Sequence, residues 1–300
     1  MRPVRARAPA KINLALHVGP LRTDGFHEVA TTYQAVSLDE IVAAEEAEEL
    51  SVVVSGTDAE LVPTDGSNLA IRAAAALASH VGRAPGVRLA ITKLVPVAGG
   101  LAGGSADAAA ALVACDALWQ TGLTRAELSE IASTIGSDVP FALAGGTAIG
   151  TGRGEQLTTA LVRGQSHWVL AVAEIGLRTA EVYARLDRLR ARHEVARPRV
   201  DVPVTAALGA GDQAALGRAL VNDLEPAALA LRPELRATLK AGRDAGALGA
   251  VVSGSGPTCV FLARDAEHAL DLAVTLSATG VCRTVKRVHG PVAGAQLLLS

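Results

Sequence analysis

Alternating and β-branched stretches in the first hundred residues predict strands near 4–18, 29–37, 50–55 and 87–95, with Thr23-Asp24-Gly25 turning the chain between the first two. Asn68 opens an Ala-rich helix that runs to about Val81, where Gly82 supplies a natural stop. A second helix starts near Ser105 and reaches about Gln120. Thr124 and Glu127 form a capping-box pair, which places a third helix over 125–135, ahead of Gly136. Strands near 145–151 and 167–174 follow, then a helix around 179–192 and an Arg- and Pro-containing connection over 193–204. Helices near 212–221, 232–245 and 265–279 and strands near 248–253, 258–263 and 282–289 complete an α+β second half. A chain of 300 residues exceeds the usual size of one core, so two domains are expected, 1–155 and 156–300.

These elements must pack with small side chains. Half of the residues are hydrophobic but only 2% are aromatic, which leaves Ala and Val to fill most of the core. A net charge of -2, with both signs interspersed, provides no extended cationic surface, so nucleic acid is not an expected partner. Cys115, Cys259 and Cys282 are far apart and lack CxxC spacing, which points to neither disulfides nor zinc. No run of 18 apolar residues occurs and the opening has no leader-like apolar stretch, so a soluble cytoplasmic protein without a membrane partner is expected. The cluster Glu45, Glu46, Glu48 and Glu49 reads as a solvated face.

The strongest local signal for chemistry is the run Pro96, Val97, Ala98, Gly99, Gly100, Leu101, Ala102, Gly103, Gly104 and Ser105, set between an expected strand and an expected helix. Glycine lets the backbone enter positive-φ conformations and lets consecutive N–H groups face one anion. The following helix N-terminus adds partial positive charge. The segment lacks the Lys of GxxxxGK[ST], so the common P-loop is excluded. Ser105 is expected at the helix N-cap, with its hydroxyl also able to face phosphates or their Mg2+. The GxSxG elbow fails because Asp107 holds its last position. Ser253-Gly254-Ser255-Gly256-Pro257-Thr258 forms a second glycine-rich turn, a weak signal taken alone that also reads as a tight hairpin; together the two turns suggest a phosphate-bearing ligand closed in from both sides. Gly209-Ala210-Gly211-Asp212-Gln213-Ala214 matches a dinucleotide fingerprint in form, but no strand leads into it. Lys11, in an otherwise apolar strand, and Asp138, before an apolar turn, are candidates for orienting or deprotonating a hydroxyl. Each also has an ordinary reading, as an exposed strand lysine and as a helix cap.

Read together, Pro9-Ala10-Lys11-Ile12-Asn13-Leu14, Pro96 to Ser105 continuing through Ala106-Asp107-Ala108-Ala109, and Ser253 to Thr258 resemble the three motifs of the GHMP kinases, the superfamily of galactokinase, homoserine kinase, mevalonate kinase and phosphomevalonate kinase. The opening through Arg22-Thr23-Asp24-Gly25-Phe26-His27-Glu28-Val29, and Gly136-Ser137-Asp138-Val139-Pro140-Phe141, resemble the branch whose acceptor is the 2-hydroxyl of a cytidine diphosphate-linked methylerythritol, in non-mevalonate isoprenoid biosynthesis. The resemblance implies an N-terminal α/β domain with a left-handed βαβ unit and a C-terminal ferredoxin-like α+β domain. Right-handed crossovers being the rule, that hand could not have been read from periodicity. It implies ATP and Mg2+ as cofactors, ATP held by Pro96 to Ala106 with Asn68 near the nucleotide base. It makes Lys11 and Asp138 the catalytic pair and Asn13 a substrate contact. His27 and Tyr183 would hold the cytosine by hydrogen bonding and stacking, and Gly254 and Ser255 would close on the substrate. Phe26 stands where that branch often has Tyr, so a phenol contact is lost. A small-molecule substrate and a monomer or weak homodimer are expected. A homoserine- or mevalonate-type acceptor, or a nucleotide-binding protein without transfer, remain the alternatives.

Overall fold

The computed structural model describes residues 3–298. The chain begins with two long antiparallel strands, β1 (Val4–Leu21) and β2 (His27–Glu46), joined through the Thr23–Gly25 turn. β2 runs well past the expected 29–37. Asp39 and Glu40 break the apolar alternation there, yet both are paired, Asp39 with Arg7 at 2.6 Å and Glu40 with Lys93, so the ladder continues. Next come β3 (Ser51–Gly56), α1 (Leu69–His80), β4 (Val87–Lys93), α2 (Gly103–Trp119), α3 (Arg125–Ile135), α4 (Val139–Ala144), β5 (Thr147–Thr151) and β6 (Gln156–Thr159). β3 and β4 are parallel neighbours with α1 between them, a single βαβ unit.

The second half comprises β7 (Ser166–Val172), α5 (Thr179–Arg190), α6 (Val202–Ala210), α7 (Gln213–Ala219), β8 (Val221–Asn222), α8 (Glu225–Leu231), α9 (Leu235–Asp244), β9 (Gly249–Val252), β10 (Cys259–Ala263), α10 (Ala266–Thr279), β11 (Thr284–Gly290) and β12 (Gln296–Leu297). Its sheet has the order β11-β7-β10-β9, antiparallel throughout, which is the ferredoxin-like arrangement once the helices between α5 and β9 are set aside. The larger sheet has the order β12-β1-β2-β4-β3, with β5 and β6 continuing from β2 and β8 on β1. Two short strands from the second half of the chain, β8 and β12, therefore pair with β1 in the sheet built by its beginning.

Several expectations are corrected here. The stretch 193–204 is not wholly a connection, because α6 starts at Val202. Asp201 accepts from Val204 N, and Pro203 sits in the first turn, where its missing N–H costs nothing, so that proline marks a start. α8 is likewise missed. α2 begins at Gly103, two residues early, so Ser105 is its third residue and the cap position falls to Ala102. β8 and β12, two residues each, are too short to show any period.

Helix α2 is the centre of the larger layer. Every residue from Ala106 to Cys115 is buried, so the helix shows no polar face. It packs against α1, α4, β1 and β2, and only alanine-sized side chains allow all four approaches. A separate core under the second sheet gathers Val169, Leu235, Leu239, Phe261 and Leu272. Between the two, Ile12 and Leu14 of β1 meet Trp168, Val260 and Leu262. The Trp168 indole there donates to Gln34 Oε1 at 2.8 Å, which satisfies a buried polar pair. Ala110, fully buried on α2, tests the packing: Ala110→Leu is expected to cost about 1–3 kcal/mol by overpacking. The urea unfolding midpoint should fall accordingly with an unchanged m value.

Candidate active site

A cavity of about 860 Å³ opens between the β1–β2 hairpin, the glycine-rich run, α5 and the Ser253–Thr258 turn. Lys11 lies on its wall in β1, with only 8% of its side chain exposed. A charge so placed needs partners. Its Nζ donates to Asn13 Oδ1 at 2.7 Å and to the Gly100 carbonyl at 3.3 Å, and Asp138 Oδ2 lies 3.7 Å away. Asn13, two residues along the same strand, is itself oriented: its Nδ2 donates to Thr31 Oγ1 at 2.8 Å, and that hydroxyl donates to the Ala15 carbonyl at 2.7 Å.

Asp138 occupies the cap position of α4, yet its side chain makes no capping bond. The carboxylate faces the cavity instead, 30% exposed. Tyr33 donates its hydroxyl to Asp138 Oδ1 at 3.1 Å. Burial, and then the Asp138 charge, raise the Tyr33 phenol well above its ordinary pKa, so it remains a donor. The Tyr33 ring also lies 5.6 Å below the Lys11 ammonium, within cation–π range. Nothing in the sequence distinguishes Tyr33 from an ordinary core ring, since its register opposite Asn13 comes only with the fold.

The glycine-rich run enters the left-handed region at alternate positions, Ala98 (φ 53°), Gly100 (φ 77°) and Ala102 (φ 59°). Alternation of this kind turns successive N–H groups toward one side, an anion nest. Two of the three positions are alanine, which costs roughly 1–2 kcal/mol each and was not foreshadowed by the glycines. No side chain caps α2, so the N–H groups of its first turn are available to a ligand. Gly100 also fixes the second glycine-rich turn: a Cβ there would overlap the Ser253 carbonyl, and Ser253 Oγ donates to the Gly100 carbonyl at 3.1 Å. Asp58 holds the start of the run, accepting from Val97 N at 3.2 Å while pairing with Arg283 at 2.7 and 2.9 Å.

Most of the expected contact residues line the cavity: Lys11, Asn13, His27, Asn68, Asp138 and Tyr183, together with Gly254, Ser255 and the run from Pro96 to Gly100 and from Ala102 to Ser105. Leu101 and Ala106 turn into the core instead, although the Leu101 carbonyl accepts from Lys11 N at 3.1 Å. The Asn68 side chain is engaged in capping α1, accepting from Ala70 N and donating to the Pro63 carbonyl at 2.7 Å. The antiparallel pairing of β9 with β10 makes Ser253–Thr258 a true hairpin turn that also faces the cavity. Burial, and then Asp138, raise the Tyr183 phenol above its ordinary value.

Beneath the cradle lies a second buried cation that the sequence did not flag. Lys93, at the end of β4, meets Glu40 of β2 and donates to Asp107 of α2 at 2.6 Å, all three essentially without solvent exposure. Glu40 Oε2 also accepts from Leu94 N at 2.9 Å, whereas Asp107 Oδ1 has no hydrogen-bond partner. Across the ladder Glu40 faces only Ala8. Burial, and then Asp107, push the Glu40 carboxyl up to about 7, and burial raises Asp107 as well. Burial lowers the Lys93 ammonium, but Asp107 and Glu40 together outweigh it and keep its pKa above the ordinary value. One ammonium between two carboxyls leaves room for one bound proton.

Comparison with known proteins follows the same outline. The family described as GHMP kinases N terminal domain matches residues 68–146, and that described as GHMP kinases C terminal matches residues 204–282. The 4-diphosphocytidyl-2-C-methyl-D-erythritol kinase of Mycolicibacterium smegmatis is 54% identical over 98% of this chain and 92% of its own length. A crystal structure of 4-(cytidine 5'-diphospho)-2C-methyl-D-erythritol kinase superposes with a TM-score of 0.77 at 31% identity, covering 95% of this chain and 98% of that one. The homoserine kinase from Cytophaga hutchinsonii shares the fold, with a TM-score of 0.74 at 18% identity over 99% and 98% of the two chains.

The Glu40 carboxyl gives this site a pH signature. Its raised folded-state value means that the folded chain binds the proton more tightly than the unfolded one. The resulting stabilisation is complete below about pH 4.5 and is lost as the pH rises through about 7. Between those limits the slope due to this group approaches about 1.4 kcal/mol per pH unit. Glu40→Gln removes the titration, so urea unfolding of the variant should lose less stability than the parent between pH 5 and pH 8. Parallel profiles for the two proteins would show that Glu40 ionises normally.

Proposed function

The chain belongs to the GHMP kinases, and from that membership we propose that it transfers the γ-phosphoryl group of ATP to the 2-hydroxyl of 4-diphosphocytidyl-2-C-methyl-D-erythritol. The observation that carries the proposal is the meeting of Lys11 and Asp138, 3.7 Å apart, in the same cavity as an anion nest. Relatives of that name that match nearly their whole length favour this acceptor over homoserine or mevalonate, since the homoserine kinase likeness is one of fold alone.

In this reading ATP supplies the phosphoryl group, and the protein supplies position and charge. The unclaimed amides of the nest and of the α2 N-terminus hold the phosphates. Asp138 accepts the proton of the acceptor hydroxyl as that oxygen attacks phosphorus. Tyr33 holds one carboxylate oxygen of Asp138 and Lys11 draws on the other, so the base keeps one aim. Lys11 also offsets negative charge gathering between the nucleophile and the phosphates. Asn13 keeps the ammonium directed and stands beside the acceptor. His27 and Tyr183 take the cytosine, and Gly254 and Ser255 border the same space.

Mg2+ fits as an ion carried on the phosphates. The Ser105 hydroxyl lines the cavity on the first turn of α2, and among the described residues no three His, Cys, Asp or Glu side chains gather into a cage. When bound, Mg2+ neutralises charge on the phosphate oxygens. No helix among the described residues is long and apolar enough to cross a membrane. We place the enzyme in the cytoplasm, as a monomer or weak homodimer acting on a small molecule, with residues 1–155 holding the nucleotide and residues 156–300 completing the acceptor site.

Two measurements test the proposal. ADP release with ATP and a panel of acceptors should favour the cytidyl substrate, and a preference for homoserine or mevalonate would overturn the assignment. Asp138→Asn should lower kcat by about 10²- to 10⁴-fold while nucleotide binding persists, as followed by calorimetry. Near-normal turnover in that variant would remove Asp138 as the base.

A further inference from the structure

Helix α5 brings two side chains to one wall of the cavity, Tyr183 and Asp187. Their i, i+4 spacing places them on one helical face. Both meet His27, at the start of β2. The Tyr183 and His27 rings lie 5.0 Å apart at 31°, and Asp187 Oδ1 is 2.8 Å from His27 Nε2. The histidine is buried, whereas 49% of the Asp187 side chain is exposed. Arg190, one turn on, does not neutralise this carboxylate, because it is engaged by Asp223 at 2.9 Å and by the Val18 carbonyl at 2.6 Å.

A carboxylate only accepts hydrogen bonds, so the Nε2 that meets it carries the hydrogen. In the neutral ring Nδ1 then bears a lone pair. Among the described residues neither His27 Nδ1 nor Asp187 Oδ2 has a protein partner. Both unclaimed atoms are acceptors beside an aromatic face. A pyrimidine stacked there is favoured if it offers an exocyclic amine and disfavoured if it offers a carbonyl at the same position.

We infer that Asp187 is the residue through which this site selects cytosine over uracil, by fixing the His27 tautomer and turning an acceptor edge toward the 4-amino group. This inference rests on the reading that the acceptor substrate places its base at Tyr183 and His27. Asp187 acts mainly through His27 and is a positioning residue, remote from the transferred group.

The test compares the parent with Asp187→Asn, whose amide can present a donor as well as an acceptor, and with Asp187→Glu as the conservative rescue. With saturating ATP, the ratio of kcat/KM for the cytidine over the uridine diphosphate-linked methylerythritol should fall about tenfold or more in Asp187→Asn and recover in part in Asp187→Glu. The loss should lie in KM for the cytidyl substrate, with kcat and KM for ATP held within about twofold. Nitrogen-15 correlation spectra of His27 should report the Nε2–H tautomer in the parent and a mixture in Asp187→Asn. An unchanged ratio, or a loss shared equally by kcat and both substrates, overturns the inference. Should the parent fail to phosphorylate the cytidyl substrate, the proposed function falls. Calorimetry with cytidine and uridine 5'-diphosphates then decides the inference separately: equal preference in parent and Asp187→Asn overturns it.

Discussion

The positive charge of Lys11, set in the middle of a buried strand, is the constraint around which the site is arranged. An ammonium removed from water must be compensated by several partners at once, or it destabilises the fold that holds it. Here the partners come from four places in the chain: Asn13 on the same strand, the Gly100 carbonyl, the Asp138 carboxylate and the Tyr33 ring. Each of them is a component of the cavity wall. Satisfying the lysine therefore brings the nest, Asp138 and Asn13 within reach of one another. The Gly100 carbonyl, which accepts from both Lys11 and Ser253, extends the same constraint to the second glycine-rich turn.

Lys93 poses the same problem beneath the cradle and meets a different solution. Two carboxyls enclose it, and all three groups are almost wholly buried, with Lys93 and Asp107 bordering the cavity. The cluster joins β2, β4 and the first turns of α2, so it fixes where the helix begins relative to the sheet. Lys11 instead has a single carboxylate, a third exposed and shared with a phenol. The contrast separates the two roles. A carboxyl enclosed with a competing carboxyl holds its proton near neutrality, whereas one open to the cavity and steadied by donors is placed to receive a proton from a ligand.

Local rules located much of this arrangement in advance. The capping box at Thr124 and Glu127 forms as its spacing requires, and Asn68 caps α1. Glycine density marked the cradle, the first motif marked Lys11, and the Gly136–Phe141 segment marked Asp138. Features that depend on register or on crossing chain segments were out of reach. Tyr33 joins Asp138 only because β2 pairs with β1 and passes beside α4. Asp187 becomes notable only when α5 lies against the β1–β2 hairpin, since on its own it is one more charge on an amphipathic helix. Glu40 and Lys93 read as interruptions in apolar strands, because a buried pair and a pair of exposed charges leave the same trace in one dimension. Ala98 and Ala102 adopt left-handed conformations that composition alone assigns to glycine.

The helix starts show how stability was exchanged for chemistry. Asn68, Thr124, Asp201, Asp212 and Asp265 each cap a helix by accepting a backbone N–H. Helices α2, α4, α5, α8 and α9 have no such side-chain cap; of their cap residues Ala102, Asp138 and Leu224 line the cavity, whereas Arg178 and Glu234 do not. A missing cap costs typically ~1 kcal/mol, and at α2 and α4 the uncapped start faces the cavity. At α2 it preserves amides that an anion can claim, with the positive end of a 17-residue helix behind them. At α4 it releases the Asp138 carboxylate, which a capping bond would have turned toward its own backbone. The same absence thus leaves unclaimed amides at one helix and a cavity-facing carboxylate at the other, the latter 3.7 Å from Lys11.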